Sequence, residues 1–399
     1  MIRPADRLNQ IQEYYFSRKL KEVARMNAEG LDVISLAIGS PDMPPSKETT
    51  ETLCQVAVQA DAHGYQPTMG IPELRGAMSR FYKRFYGVTL DPDKEILPLI
   101  GSKEGILHTT LALVNPGESV LVPNPGYPTY TSLSKILGAR VISYDLQEDH
   151  GWQPDFAQLE RLAADHDDIK LMWVNYPNMP TGGRARPETF RRLVEFGSTH
   201  GIVVINDNPY SFILNEGEKH SLLQTPGAKA CCMELNSMSK SHNMPGWRVG
   251  MLAGNEDFIQ WTLKIKSNID SGTFRGIQLA AARAMDNTDA WHTEYNIAHY
   301  ARRRRYAEEI MHLMGCTFDP SQAGMFLWGR IPDHYADSEQ LTEHLLQEAR
   351  VFITPGMIFG TNGTRYIRIS LCAKDDKFVE AIRRIRHLFA TQDPAIRHQ

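Results

Sequence analysis

Between residues 96 and 260 the chain repeats one pattern: a short β-rich run, a turn, then a stretch with apolar residues at i, i+3 and i+4. The β-rich runs lie at 96–100, 119–122, 140–144, 169–174, 202–205, 233–236 and 248–252, and helical spacing fills 104–114, 154–164 and 187–199 among others. Strands that alternate with helices are joined by crossovers, so the pattern predicts an α/β fold built on an open, largely parallel sheet of seven strands covered by helices. In such sheets ligands bind outside the carboxyl ends of the strands, so residues just past each run are the ones to inspect.

The character changes after about residue 285. A long charged helix (288–313), a strand (325–331), a helix (338–349), a strand (366–371) and a last helix (374–390) predict a smaller α+β part. A helix over 8–29 is assigned to that part. The expected division is a large unit over 47–285, with 1–46 and 286–399 forming the small one. No internal repeat or low-complexity segment interrupts it.

At 399 residues the chain is long enough for two such units, and 42% hydrophobic with 23% charged residues is the balance of an ordinary globular enzyme. A net charge of −4 gives no basic field for a nucleic-acid backbone, and the run Arg302 to Arg305 falls in a helix, where it reads as a solvated or salt-bridged face. Five cysteines without C-x-x-C spacing argue against a disulfide framework or a structural zinc and fit a reducing compartment. The first residues lack the apolar core of a signal peptide, and no run of about 18 apolar residues is present to cross a bilayer. The expectation is a cytoplasmic protein that binds no metal, nucleic acid or membrane.

Most of the chemistry-bearing fragments fall just past a predicted strand. In Ser237-Met-Ser-Lys240-Ser-His-Asn-Met-Pro-Gly-Trp-Arg248 a lysine stands among small hydroxyls, with an arginine eight residues on. A lysine that condenses with an aldehyde has to be held where its pKa is lowered, so that some of it is neutral nucleophile. Hydroxyls and a bidentate guanidinium are the anion-binding groups that pyridoxal 5′-phosphate needs around its phosphate. The same composition also describes a solvated loop. Asp207 and Tyr210 follow the 202–205 run; a carboxylate there can pair with a pyridine nitrogen and a phenol can donate to the ring oxygen, while an Asx turn followed by a packed tyrosine explains the fragment equally. Gly101-Ser102-Lys103-Glu-Gly opens a helix whose first amides could hold phosphate; it is neither a G-x-x-x-x-G-K-[ST] nor a G-x-G-x-x-G motif. Tyr127, held between prolines, could stack on a flat ring or pack in the core. Asn175 and Asn178 lie in a Pro- and Gly-fixed turn after 169–174. Arg368 sits inside an apolar strand and needs an anion partner, either a structural carboxylate, which the strand alone favours, or a substrate carboxylate.

Taken in order, from Leu36-Ala-Ile-Gly39-Ser-Pro-Asp42 to Arg368, these fragments resemble the fold-type I pyridoxal-phosphate enzymes, and specifically the class I/II aminotransferases. The resemblance implies a homodimer with shared active sites that moves an amino group between an L-amino acid and a 2-oxo acid by a ping-pong route through pyridoxamine phosphate. It implies that Lys240 forms the Schiff base and moves the proton. Ser237, Arg248 and the Ser102/Lys103 loop would hold the phosphate. Tyr127 would stack on the ring, Asp207 would pair with its nitrogen and Tyr210 would donate to its 3′ oxygen. Arg368, with Gly39 beside it, would bind the substrate carboxylate, and Tyr65 would reach the phosphate of the neighbouring subunit.

One position departs from the family. Its turn usually reads Asn-Pro-Thr-Gly, the asparagine donating to the 3′ oxygen, but Met179 stands in that place and a thioether cannot donate. The expectation is that Asn178 or Asn175 takes over or the bond is missing, with Tyr210 remaining. Gly101-Ser-Lys-Glu-Gly, Val122-Pro-Asn-Pro-Gly-Tyr-Pro and Lys266-Ser-Asn-Ile-Asp-Ser-Gly are most similar to the LL-diaminopimelate and alanine (glutamate–pyruvate) aminotransferase branch. Dicarboxylate-specific relatives place a second arginine near that last segment, where this chain has Lys266 and Arg275. Side-chain specificity falls to Tyr14, Tyr15, Ile38, Ser271 and loops of the neighbour. The rival readings are a fold-type I C–S β-lyase, which shares the cofactor contacts, and a non-catalytic pyridoxal-phosphate-binding regulator.

Overall fold

The computed structural model describes residues 2–10, 15–184, 186–292 and 297–390. Twelve strands are found among them: β1 (Ile34–Ser35), β2 (Ile96–Leu99), β3 (Ser119–Asn124), β4 (Arg140–Asp145), β5 (Ile169–Val174), β6 (Val203–Asp207), β7 (Cys232–Ser237), β8 (Gly250–Gly254), β9 (Phe326–Arg330), β10 (Val351–Phe352), β11 (Thr354–Pro355) and β12 (Tyr366–Ser370). The helices are α1 (Tyr15–Ala28), α2 (Lys47–Ala57), α3 (Pro72–Tyr86), α4 (Ser102–Leu113), α5 (Pro128–Ile136), α6 (Phe156–Asp165), α7 (Pro187–His200), α8 (Met238–Ser241), α9 (Glu256–Lys266), α10 (Arg275–Asp286), α11 (Thr288–Trp291), α12 (Ile297–Leu313), α13 (Ser338–His344) and α14 (Asp375–Ala390). The helix expected over 288–313 is α11 and α12, with 293–296 outside the described residues. Likewise 8–29 is a short 3₁₀ turn and α1, with 11–14 outside them.

Seven strands form the large sheet in the order β2-β8-β7-β6-β5-β3-β4. β3 to β7 run parallel to one another, β3, β5, β6 and β7 buried on both faces and the edge strand β4 partly exposed. The exception is β8, antiparallel to both β2 and β7. It begins at Gly250 rather than at 248 as expected, because Arg248 holds a left-handed backbone (φ 57) and turns the chain before the strand starts. Two reversals in sequence leave β2 parallel to β7. The carboxyl ends of the parallel strands and the start of β8 therefore share one edge of the sheet.

The C-terminal part is a three-stranded antiparallel sheet, β11-β12-β9, faced by α12, α13 and α14. The N-terminal segment joins it: β1 pairs in parallel with β10, and Val23, Met26, Val33 and Ala37 pack on Leu346 and Phe352. One apolar cluster runs without a break from Met172 and Val174 in the large sheet to Leu327 and Ile369 in the small one, so the crevice between them has rigid walls. The arginine run is a salt-bridged face rather than a solvated one. Arg303 and Arg304 are buried; Arg303 bonds both oxygens of Asp42 (2.6 and 2.9 Å) and Asp375 (3.1 Å), and Arg304 bonds Glu308 (2.8 Å).

Candidate active site

A cavity of about 410 Å³ opens at the shared edge, where strand order reverses between β3 and β5. Its lining brings together Gly39, Ser102, Lys103, Tyr127, Asp207, Tyr210, Ser237, Lys240, Arg248 and Arg368. These residues come from seven separate places in the chain, and the fold delivers most of them from strand ends.

Asp207, the last residue of β6, is the deepest charged group. Burial pushes its carboxyl up to about 6, against the pull of Tyr130, whose hydroxyl donates to Oδ2 at 2.9 Å. The Tyr130 ring is fixed in turn by stacking on Trp173 (5.1 Å, 4°). Sequence reasoning missed Tyr130; its signal was the i, i+3 spacing from Tyr127 across the first turn of α5, which puts both rings at the cavity. Oδ1 of Asp207 has no hydrogen-bond partner among the described residues. Tyr210 is buried edge-on to Phe326 (5.8 Å), and burial raises its phenol far above the usual range, so it stays a proton donor.

Lys240 stands in the short α8, which Ser237 caps by accepting the Ser239 amide at 3.2 Å. Burial lowers its ammonium below the ordinary lysine value; the nearby Arg368 and Arg248 act in the same direction. Its Nζ donates to the carbonyl of Gly39. Gly39 is required by contact: a Cβ there would lie 2.5 Å from the Phe326 ring.

At one end of the cavity α4 begins without a side-chain cap, leaving its first amides open toward the space. Gly101 has φ +97, and a Cβ on it would lie 2.2 Å from Nη2 of Arg248. Arg248 is held by its bonds to the Pro245 carbonyl (3.0 Å) and Ser239 Oγ (3.5 Å). Oγ of Ser102, buried, makes no hydrogen bond of ordinary geometry among the described residues, though it stands close enough to the Asp207 carboxyl to oppose the effect of burial there. At the other end Arg368 lies between two phenyl rings, 4.0 Å from the centroid of Phe326 and 4.7 Å from that of Phe359. It donates to the Ala37 carbonyl (2.9 Å) and approaches the Met179 sulfur (3.2 Å).

Three sets of the expected residues lie off this chain's cavity lining. Asn178 does not line the cavity: its carboxamide oxygen turns back to accept from the amide (3.2 Å) and hydroxyl (2.7 Å) of Thr181, a local bond that competes with outward use. Met179 and Asn175 face the space instead. Asn175 is already committed, donating to the Asp207 carbonyl at 2.5 Å and accepting from the Met179 amide at 2.7 Å. Among the described residues Phe16, rather than Tyr15, Ile38 or Ser271, lines the cavity, and Tyr14 lies outside them. Tyr65 is 93% exposed and lines none of its own chain's cavity.

This donor set fits pyridoxal 5′-phosphate on three counts. A raised, half-satisfied carboxyl is matched to a pyridine N–H. A helix N-terminus with a buried hydroxyl and an arginine beside it is matched to a phosphate. A lysine of lowered pKa is matched to an aldehyde carbon between them. The arrangement defines a Schiff-base enzyme on a fold-type I scaffold.

The comparisons with known proteins carry this further. The model of the family "Aminotransferase class I and II" matches residues 31–385. LL-diaminopimelate aminotransferase of Dehalococcoides mccartyi is 38% identical over 95% of this chain and 97% of its own length, and that of Moorella thermoacetica 37% identical over 97% and 98%. The substrate-bound structure of BacF from Bacillus subtilis superposes with a TM-score of 0.90 at 34% identity, covering 98% of both chains. The chain belongs to the class I and II aminotransferase family. It is a pyridoxal-phosphate-dependent transaminase that moves an amino group between an L-amino acid and a 2-oxo acid through pyridoxamine phosphate; the curated relatives carry an aminotransferase's name rather than a lyase's.

Proposed function

We propose the following division of labour within this transaminase. Bound in the cavity, the cofactor supplies an electron sink for the pair left when the substrate Cα loses its proton. Lys240 would hold the aldehyde carbon and would move the proton between the substrate Cα and the cofactor's C4′, a task suited to an amine whose pKa burial has lowered. Asp207, oriented by Tyr130, keeps the ring nitrogen protonated. Tyr210 donates to the 3′ oxygen without a second donor from position 179, and Tyr127 covers the ring. The α4 amides at Ser102 and Lys103, Ser237 and Arg248 anchor the phosphate, while Arg368 and the neighbouring Gly39 hold the substrate carboxylate.

Two copies share their sites, each Tyr65 serving the phosphate of the other. The exposure of this large aromatic, far above that of a core residue, supports that reading. A cytoplasmic setting is supported by five cysteines that are all free thiols and by the absence, among the described residues, of a helix long and apolar enough to cross a membrane.

The observation that carries the proposal is the convergence of Lys240, Asp207, Tyr210, Arg248 and Arg368 on one cavity. Borohydride reduction of the holoenzyme followed by peptide mapping should place the pyridoxyl group on Lys240. A label on any other lysine contradicts the assignment. The curated relatives act, by name, on LL-diaminopimelate, and that amino acid belongs in the donor panel.

A further inference from the structure

We infer that Lys266 is a positioning residue: it locks the helix that meets the phosphate in its own copy to the segment that carries Tyr65 toward the other copy. The inference rests on the proposed role of Tyr65. Lys266 ends α9, which packs alongside α4. Its side chain and that of Glu104 are buried by their own chain, so the bond between them does not wait on the second copy.

On one side the ammonium bonds Glu104 Oε1 at 2.7 Å, and the other oxygen of Glu104 accepts the Ile100 amide. Ile100 and Glu104 bracket Gly101, Ser102 and Lys103, so this carboxylate closes the turn that opens α4 and aims its first amides. Burial opposes a charge on Glu104, but the bonds from His108 (3.0 Å) and Lys266 hold its pKa down at about 2. It is therefore ionised at any working pH, and a buried carboxylate needs its cation.

On the other side the same ammonium bonds Asp270, whose second oxygen accepts the Gly272 amide at 3.0 Å. Gly272 lies against the backbone just past Tyr65: a Cβ on it would lie 2.9 Å from the Pro67 carbonyl oxygen and nearer still to that of Gln66. Buried Gln278 ties the same two segments, donating to the Thr273 carbonyl (2.6 Å) and accepting from the Ile71 amide (2.8 Å). Tyr65 itself is exposed, so its aim within one copy comes from what holds 66–71. Glu104, His108 and Asp270 bring ligand atoms within 4.8 Å of one another, as a cation site would; Lys266 bonds both carboxylates, so the chain supplies its own cation.

A double-mutant cycle on cofactor affinity tests this. Pyridoxal phosphate is titrated into the apoenzyme of wild type, Tyr65→Phe, Asp270→Ala, Lys266→Met and the two double variants that include Tyr65→Phe. The expected result is that Tyr65→Phe weakens binding about tenfold in the wild-type background but by less than about threefold beside Asp270→Ala or Lys266→Met, because a phenol no longer aimed has little to lose. Asp270→Ala leaves the Glu104–Lys266 bond in place, so the cycle reports even where Lys266→Met does not fold. An equal, tenfold effect of Tyr65→Phe in every background, with only the denaturation midpoint lowered by the other substitutions, makes the network structural and overturns the inference while the role of Tyr65 stands. No effect of Tyr65→Phe in wild type overturns that role, and the inference with it.

Discussion

Tyr130→Phe isolates the contact that sets Asp207. The change deletes one hydroxyl and leaves the ring stacked on Trp173, so its effect is read at the carboxyl. Hydrogen bonds to a charged partner contribute about 1.5–3 kcal/mol, and 1.36 kcal/mol corresponds to one pH unit, so removing this donor should raise Asp207 by about 1–2 units, from about 6 to about 7–8. The ionised carboxylate is the form that pairs with the ring nitrogen, so cofactor affinity falls as pH drops through the carboxyl's pKa. At pH 7 a group at 6 is about nine-tenths ionised and one at 7–8 about a tenth to a half, which predicts affinity weaker by about two- to tenfold, converging with wild type near pH 9. Titrating pyridoxal phosphate into apoenzyme from pH 5 to 9 measures this. An acid limb at the same pH in both proteins would refute the reasoning.

Other consequences are as direct. Gly101→Ala places a methyl group where the Arg248 guanidinium lies and strains a residue of positive φ, so the arginine is pushed from its place at the phosphate end and cofactor affinity should drop by more than about tenfold with little change in far-ultraviolet dichroism. Arg303→Ala leaves Asp42 and Asp375 without their buried partner and should cost about 3–5 kcal/mol, read as a lower denaturation midpoint, while the exposed Arg191→Ala should leave the midpoint unchanged. In the apoenzyme Asp207 holds its proton more tightly than the unfolded chain does. Stability is therefore lost as pH rises from about 4 through about 6, by about 3 kcal/mol from this group, and a urea series with and without cofactor should show the loss only without it. Tyr65→Phe should weaken phosphate retention by about tenfold without altering the sedimentation of a dimer; unchanged retention would remove Tyr65 from the shared site.

The sequence made Lys240, Asp207 and Tyr210 legible because each follows a strand that its apolar run announces, and the strand-end rule of open α/β sheets does the rest, while Arg248 was legible through its place eight residues after Lys240. What stayed hidden depends on partners distant in sequence. Nothing local in 250–254 distinguishes an antiparallel strand from a parallel one; its direction follows from where β2 and β7 lie. The arginine run looks like a surface patch until α12 packs against Asp42, 261 residues away from Arg303. The turn at 175–182 carries two asparagines, and only the fold shows that the Asn178 oxygen caps Thr181, its Nδ2 lying unpartnered among the described residues but off the cavity lining, while Asn175 braces Asp207.

The absorption spectrum of the holoenzyme, taken before and after adding amino donors, decides whether Lys240 carries the cofactor and passes an amino group through it. The donors are L-phenylalanine, L-leucine, L-glutamate, L-alanine and LL-diaminopimelate, alongside Lys240→Ala as control. The account predicts a Schiff-base band that gives way to the pyridoxamine form with a donor and returns on adding a 2-oxo acid, and no such band in Lys240→Ala. A protein without that band in excess pyridoxal phosphate, indifferent to the loss of Lys240, would contradict it.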